Sequence, residues 1–75
     1  MPEREVWDVE PRGEQWAVRR EGTQQADSLH DHQVEAITRA VDLARRDGGQ
    51  MRVKGTDGEI RDERTYGNDP YPPSG

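Results

Sequence analysis

Between Asp31 and Gly49 the chain carries a complete helix signature, and the rest of the fold has to be arranged around it. Val34, Ile37, Val41 and Ala44 fall at i, i+3, i+7 and i+10, with Ala40 beside them. That spacing places one apolar stripe on a 3.6-residue repeat. Ala36 and Leu43 widen or flank the stripe, while Glu35, Arg39, Asp42, Arg45 and Arg46 take the wet side. Asp31 or His32 stands at the N-cap, and Glu35 completes a capping box if His32 caps. Leu29, just before the cap, is placed to act as a hydrophobic staple. Arg45 and Arg46 lie in the last turn, where cations suit the negative end of the helix dipole. Gly48-Gly49 then supplies a left-handed C-cap. The spacing predicts a helix over 31–46.

The segments on either side alternate with period two, as strands do. Val6-Trp7-Asp8-Val9-Glu10 and Gln15-Trp16-Ala17-Val18-Arg19 each put a Trp and a Val on one face. Pro11-Arg12-Gly13-Glu14 between them reads as a turn, so the unit is a β-hairpin. Residues 20–30 show neither period and read as a crossing from sheet to helix. After the helix, Gln50-Met51-Arg52-Val53-Lys54 alternates again, with Met51 and Val53 inward. Asp57-Gly58 signals a second hairpin, whose last strand, Glu59 to Thr65, has one aliphatic residue, Ile60. The remainder of that strand reads as a charged edge that discourages unwanted pairing. The expected order is β-β-α-β-β: an α+β fold, with a four-stranded antiparallel sheet and one helix packed on one face. Residues 5–66 form the domain, 1–4 are expected to be disordered, and 67–75 are expected to be an irregular Pro/Gly-rich tail. Tyr66 is placed to pack back on the domain.

The inward set is Trp7, Val9, Trp16, Val18, Leu29, Val34, Ile37, Ala40, Val41, Ala44, Met51, Val53 and Ile60. It is a thin core. Leu, Ile, Val and Phe number ten of 75 residues, a share at which disorder becomes a serious prior. The regular periods argue for order. A core this small leaves a lone monomer little margin, so a homodimer is expected. Its candidate surfaces are the open sheet face, around Val6 and Ala17, and an edge strand extended across a two-fold axis.

With no Cys, disulfides, thiolate chemistry and Cys-type zinc sites are excluded. No run approaches the length of a membrane helix, and Met-Pro-Glu-Arg-Glu does not read as a signal peptide. A soluble cytoplasmic protein without membrane contact is expected. A net charge of −5 and a pI near 4.9 argue against a dedicated nucleic-acid binder. His30-Asp31-His32 contains metal-ligand types, but residues two apart at a helix start point in different directions, so a polar lead-in to the cap is the preferred reading. Glu59, Asp62 and Glu63 read as a solvated edge rather than an acid–base pair. Gly48-Gly49 and Gly55-x-x-Gly58 do not sit between a strand and a following helix, which a phosphate cradle requires. Ser28 and Thr65 have no base placed by sequence. No catalytic, metal or cofactor residues are therefore assigned, and an enzyme is not expected.

Taken in order, Trp7-x-Val9, Trp16-x-Val18, Glu35-Ala36-Ile37, Ala44-Arg45, Asp57-Gly58-x-Ile60-Arg61 and Thr65-Tyr66-Gly67-x-Asp69-Pro70 resemble the domain of unknown function family DUF2188 over residues 5–70. Where that pattern often has a His before the glycine of the second hairpin, this chain has Lys54. The resemblance implies a short protein of bacterial or phage type with no assigned activity, and no catalytic residue is carried over from it. The expected function is a non-enzymatic protein-interaction module, homodimeric, acting on an unidentified protein partner. The alternative is a nucleic-acid-binding module using Arg19, Arg52, Lys54 and Arg61, the outward neighbours of Val18, Met51, Val53 and Ile60.

Overall fold

The computed structural model describes residues 5–66. Expectations for residues 1–4 and 67–75 lie outside them. Five strands and one helix run in the order β1 (Val6–Arg12), β2 (Gln15–Arg20), β3 (Ser28–His30), α1 (Gln33–Asp47), β4 (Gln50–Lys54) and β5 (Ile60–Thr65). The sheet order is β3-β2-β1-β4-β5, with β1 and β4 parallel and every other pair antiparallel. The sheet is therefore five-stranded and mixed, not four-stranded and antiparallel. One short strand accounts for both differences. Had β2 led straight into the helix, the crossover would have returned β4 parallel to β2 and antiparallel to β1. The reversal into β3 flips the chain before the helix, so β4 returns parallel to β1 instead. Only three residues long and without apolar alternation, β3 leaves no periodic trace in the sequence.

Both hairpins form, with a shorter first turn than expected. Pro11 and Arg12 belong to β1, and Gly13-Glu14 make a two-residue turn with Gly13 at φ 63°. Pro11 is tolerated in a central strand for a local reason. Its nitrogen lies on the β4 side, where pairing with β4 ends at Val9–Val53, so no ladder bond is lost.

Helix α1 lies across β1, β2, β4 and β3 on one face. His32 is the N-cap, but its side chain makes no capping hydrogen bond, so the capping box does not form. The C-cap is as expected: Gly48 is left-handed at φ 65°. The buried helical residues are Ala36, Ala40, Leu43 and Ala44, with Ile37 and Val41 half-buried. The contact face is thus rotated about a quarter turn from the predicted stripe. Three alanines let the helix axis approach the sheet, whose large side chains (Trp7, Val9, Val18, Met51 and Val53) fill the space between. Trp16 and Tyr66 pack at the margin, and Arg45 stacks 5.7 Å from the Tyr66 ring centroid. The Trp7 Nε1–H donates to Asp47 Oδ2 at 3.2 Å, tying the last helical turn to β1.

Three predicted core residues are not in the core. Val34 is 66% exposed, Leu29 48% and Ile60 47%. Val34 falls on the side of the helix that the rotation turns away from the sheet. Leu29 lies in β3 opposite Ala17, on the face away from the helix, and is not a staple. Ile60 begins the outer strand β5, every residue of which is exposed.

Candidate functional site

The sheet face away from the helix is organised by Asp8. Trp7 and Val9 point into the core, so period two turns Asp8 outward, yet it is fully buried. Neighbouring strands supply the cover. Arg52 of β4 donates to both carboxylate oxygens, Nε to Oδ1 at 2.8 Å and a terminal nitrogen to Oδ2 at 3.1 Å. Lys54 Nζ lies 3.5 Å away and Arg19 of β2 lies 3.8 Å away. Arg19 also donates to Glu10 at 3.0 Å, and Arg52 to Glu21 at 3.1 Å. Three cations thus meet three carboxylates. The hydrogen bond from Arg19 to Glu10 raises the Arg19 pKa, and that from Arg52 to Asp8 raises the Arg52 pKa, each against an opposing effect of burial. Raised pKa values keep both guanidinium groups charged, so their contribution to stability is present at neutral pH and lost only in strong alkali.

The predicted surface residues Arg19, Arg52 and Lys54 therefore do converge, but onto a carboxylate and not outward. Arg61 stands apart in the second hairpin, paired with Asp57 at 3.0 Å and Glu59 at 3.9 Å. Val6 is half-buried, and Ala17 is fully buried and offers no surface. Asp8 was missed, although an acid set between Trp7 and Val9 in an apolar strand was the available signal.

The two sheet edges differ. At β5, Asp62 pairs with Arg64 at 3.4 Å, Gln50 donates to Glu63, and the Glu63 N–H donates to Asp62 Oδ1 at 2.9 Å. A register shift opposite Val53/Lys54 bends the strand as well. Charge, a bulge and a locally bonded amide all blunt an edge. At β3 the picture is reversed. The Glu21 N–H donates to Val6 O, so along β2 Ala17 and Arg19 turn their backbone groups to β1 while Trp16 and Val18 turn theirs to β3. Their partners His30 and Ser28 bond inward, and the Leu29 N–H and C=O point away from the sheet. Beside them, on the helix side, runs an open groove of about 410 Å³ lined by His30, Val34, Glu35, Thr38, Arg39 and Asp42. Leu29 and Val34, two of the most exposed large apolar side chains, thus flank this one edge on opposite faces.

The remaining constellations disperse. The Ser28 hydroxyl lies 2.8 Å from His30 Nε2, Asp31 accepts from Gln15 at 3.1 Å, and His32 stands exposed at the helix cap. Among the described residues no group of three or more His, Asp or Glu side chains is set to hold a metal ion. Among them too, no helix is long and apolar enough to cross a membrane. Gly55 and Gly58 form the β4–β5 turn, with the Gly58 N–H donating to Gly55 O at 2.9 Å.

No curated protein and no solved structure matches the chain. A family model described as an uncharacterized protein conserved in bacteria, DUF2188, matches residues 7–66, from the first core tryptophan to the tyrosine stacked under Arg45. That span takes in the helix, four whole strands and β1 from Trp7 onward, and the chain belongs to this bacterial family.

Proposed function

We propose that this protein is a non-enzymatic module that binds protein chains at its β3 edge, by addition of an extended segment beside Leu29. The observation that carries this reading is the coincidence at one edge of outward-pointing backbone groups with two exposed apolar side chains, Leu29 and Val34. Strand addition uses those elements: main-chain bonds hold the segment, and a flanking groove selects its side chains. Natural edges are usually blunted: β5 carries charge, a bulge and a locally bonded amide, whereas β3 is limited only by its three-residue length. A nucleic-acid reading draws less support, because Arg19, Arg52 and Lys54 are engaged by Asp8, Glu10 and Glu21. The non-enzymatic half rests on the same engagement of the polar groups with one another.

The test is affinity capture from a bacterial extract with three baits: the unaltered chain, a β3-edge variant (Leu29→Asp with Val34→Asp) and a β5 variant (Arg61→Ser with Arg64→Ser). Proteins retained by the first and third baits and lost by the second support the reading. Retention that ignores the β3 substitutions, or is lost only with the β5 ones, overturns it.

A further inference from the structure

We propose that the partner of the β3 edge is a second copy of this chain, related by a two-fold axis perpendicular to the sheet and passing beside Leu29. This rests on the edge-docking reading and specifies its occupant. The first argument is register. Two antiparallel strands related by such an axis pair residues of the same face, and Ser28-Leu29-His30 is centred on Leu29. Leu29 then stands opposite its own copy and Ser28 opposite His30. Because the Leu29 N–H and C=O both point outward, the central pair exchanges two hydrogen bonds. The five-stranded sheets join into one of ten strands.

The second argument is side-chain complementarity. On the face away from the helix, Leu29 meets Leu29, an apolar pair that removes a 48% exposed side chain from water on each copy. On the other face the two grooves meet. Their lining carries both signs, Glu35 and Asp42 against Arg39, and although Arg39 already pairs with Asp27 at 3.1 Å, a copy turned by the two-fold brings its remaining guanidinium nitrogens toward the acids of the other groove. Val34, 66% exposed, is in the same lining and gains an apolar neighbour. The third argument is the thin core: joined edges give a small domain the burial its own chain lacks. Self-complementarity of one patch is the requirement of a two-fold interface, and β3 with its groove meets it.

The self-facing position makes the register testable. Leu29→Glu and Leu29→Lys are prepared in the full chain, and each is followed by sedimentation velocity from low micromolar to submillimolar concentration. Circular dichroism confirms that each variant keeps the fold, as an edge position so exposed allows. The unaltered chain is expected to double in mass with concentration. Each variant alone places like charges across the axis and is expected to remain monomeric. An equimolar mixture is expected to recover the doubled mass. A Leu29→Glu variant that still dimerises, or a mixture that stays monomeric beside a dimeric parent, overturns the register. A parent that is monomeric throughout overturns self-association, while β3-sensitive capture of another protein would leave the edge-docking reading standing. Should the parent dimerise while dimer and capture alike ignore the β3 substitutions, the docking reading and this proposal fall together.

Discussion

Asp8→Asn isolates what the charge on the open sheet face contributes. The substitution keeps shape and one carbonyl oxygen, but turns an NH2 group toward donors that have no use for it. Arg52 alone makes two hydrogen bonds to the carboxylate, at 2.8 and 3.1 Å, and Lys54 and Arg19 approach within 3.8 Å. Breaking a fully buried pair costs about 3–5 kcal/mol, and breaking an exposed one about 0–1 kcal/mol. The carboxylate is 1% exposed and its three cations 18–22%, so the acid is buried while the bases retain some water. The expected cost is therefore about 2–3 kcal/mol, between those limits and nearer the buried one. For a domain of this size that lowers Tm by about 10–20 °C. Urea and thermal unfolding, followed by far-ultraviolet circular dichroism, measure it at neutral pH. Asp62→Asn, at an exposed pair, is the internal control and should change stability by less than about 0.5 kcal/mol. Asp8→Leu combined with Arg52→Met replaces the pair by apolar groups and should recover much of the loss. A loss below about 1 kcal/mol for Asp8→Asn would show that the cluster behaves as ordinary surface charge, and the account of Asp8 would be wrong.

Gly49→Ala should destabilise more than Gly13→Ala, because a Cβ at Gly49 overlaps the Glu5 carbonyl oxygen whereas one at Gly13 meets nothing within 4 Å and is disfavoured only by the left-handed backbone; chemical denaturation of the two variants orders them. Ala40→Leu should cost about 1–3 kcal/mol by overpacking the helix–sheet contact. Val34→Ser on the same helix should leave the melting of dilute monomer nearly unchanged, and reversal of that pair would mean the helix faces the sheet by its predicted stripe. Trp7→Phe removes the indole bond to Asp47, so hydrogen exchange should quicken at the C-terminal turn of α1 while the N-terminal turn is unaltered. Mixed-sequence DNA at low salt should not shift the amide spectrum at Arg19, Arg52 and Lys54; a salt-sensitive shift there would favour the nucleic-acid reading.

The helix, both hairpins and most of the inward strand residues were legible in the sequence, because period, caps and turn glycines are local properties. Gly48 ends α1 and Gly58 turns the second hairpin wherever those segments are placed. The residues on which the proposed docking edge rests were not legible. Leu29 reads as a staple before a helix, and only pairing with Ala17 makes it part of an edge strand. Val34 reads as core, since a period states that a helix has an apolar face without stating which alanines allow close approach. Asp8 reads as surface until Arg19, Arg52 and Lys54 arrive from strands far along the chain and bury it. Local sequence determined the helix and the two hairpins, but not β3. The mixed sheet, the rotation of α1 and the contrast between an open β3 and a blunted β5 were decided by tertiary contacts. Strand direction, helix facing and edge exposure depend on neighbours that no single segment contains.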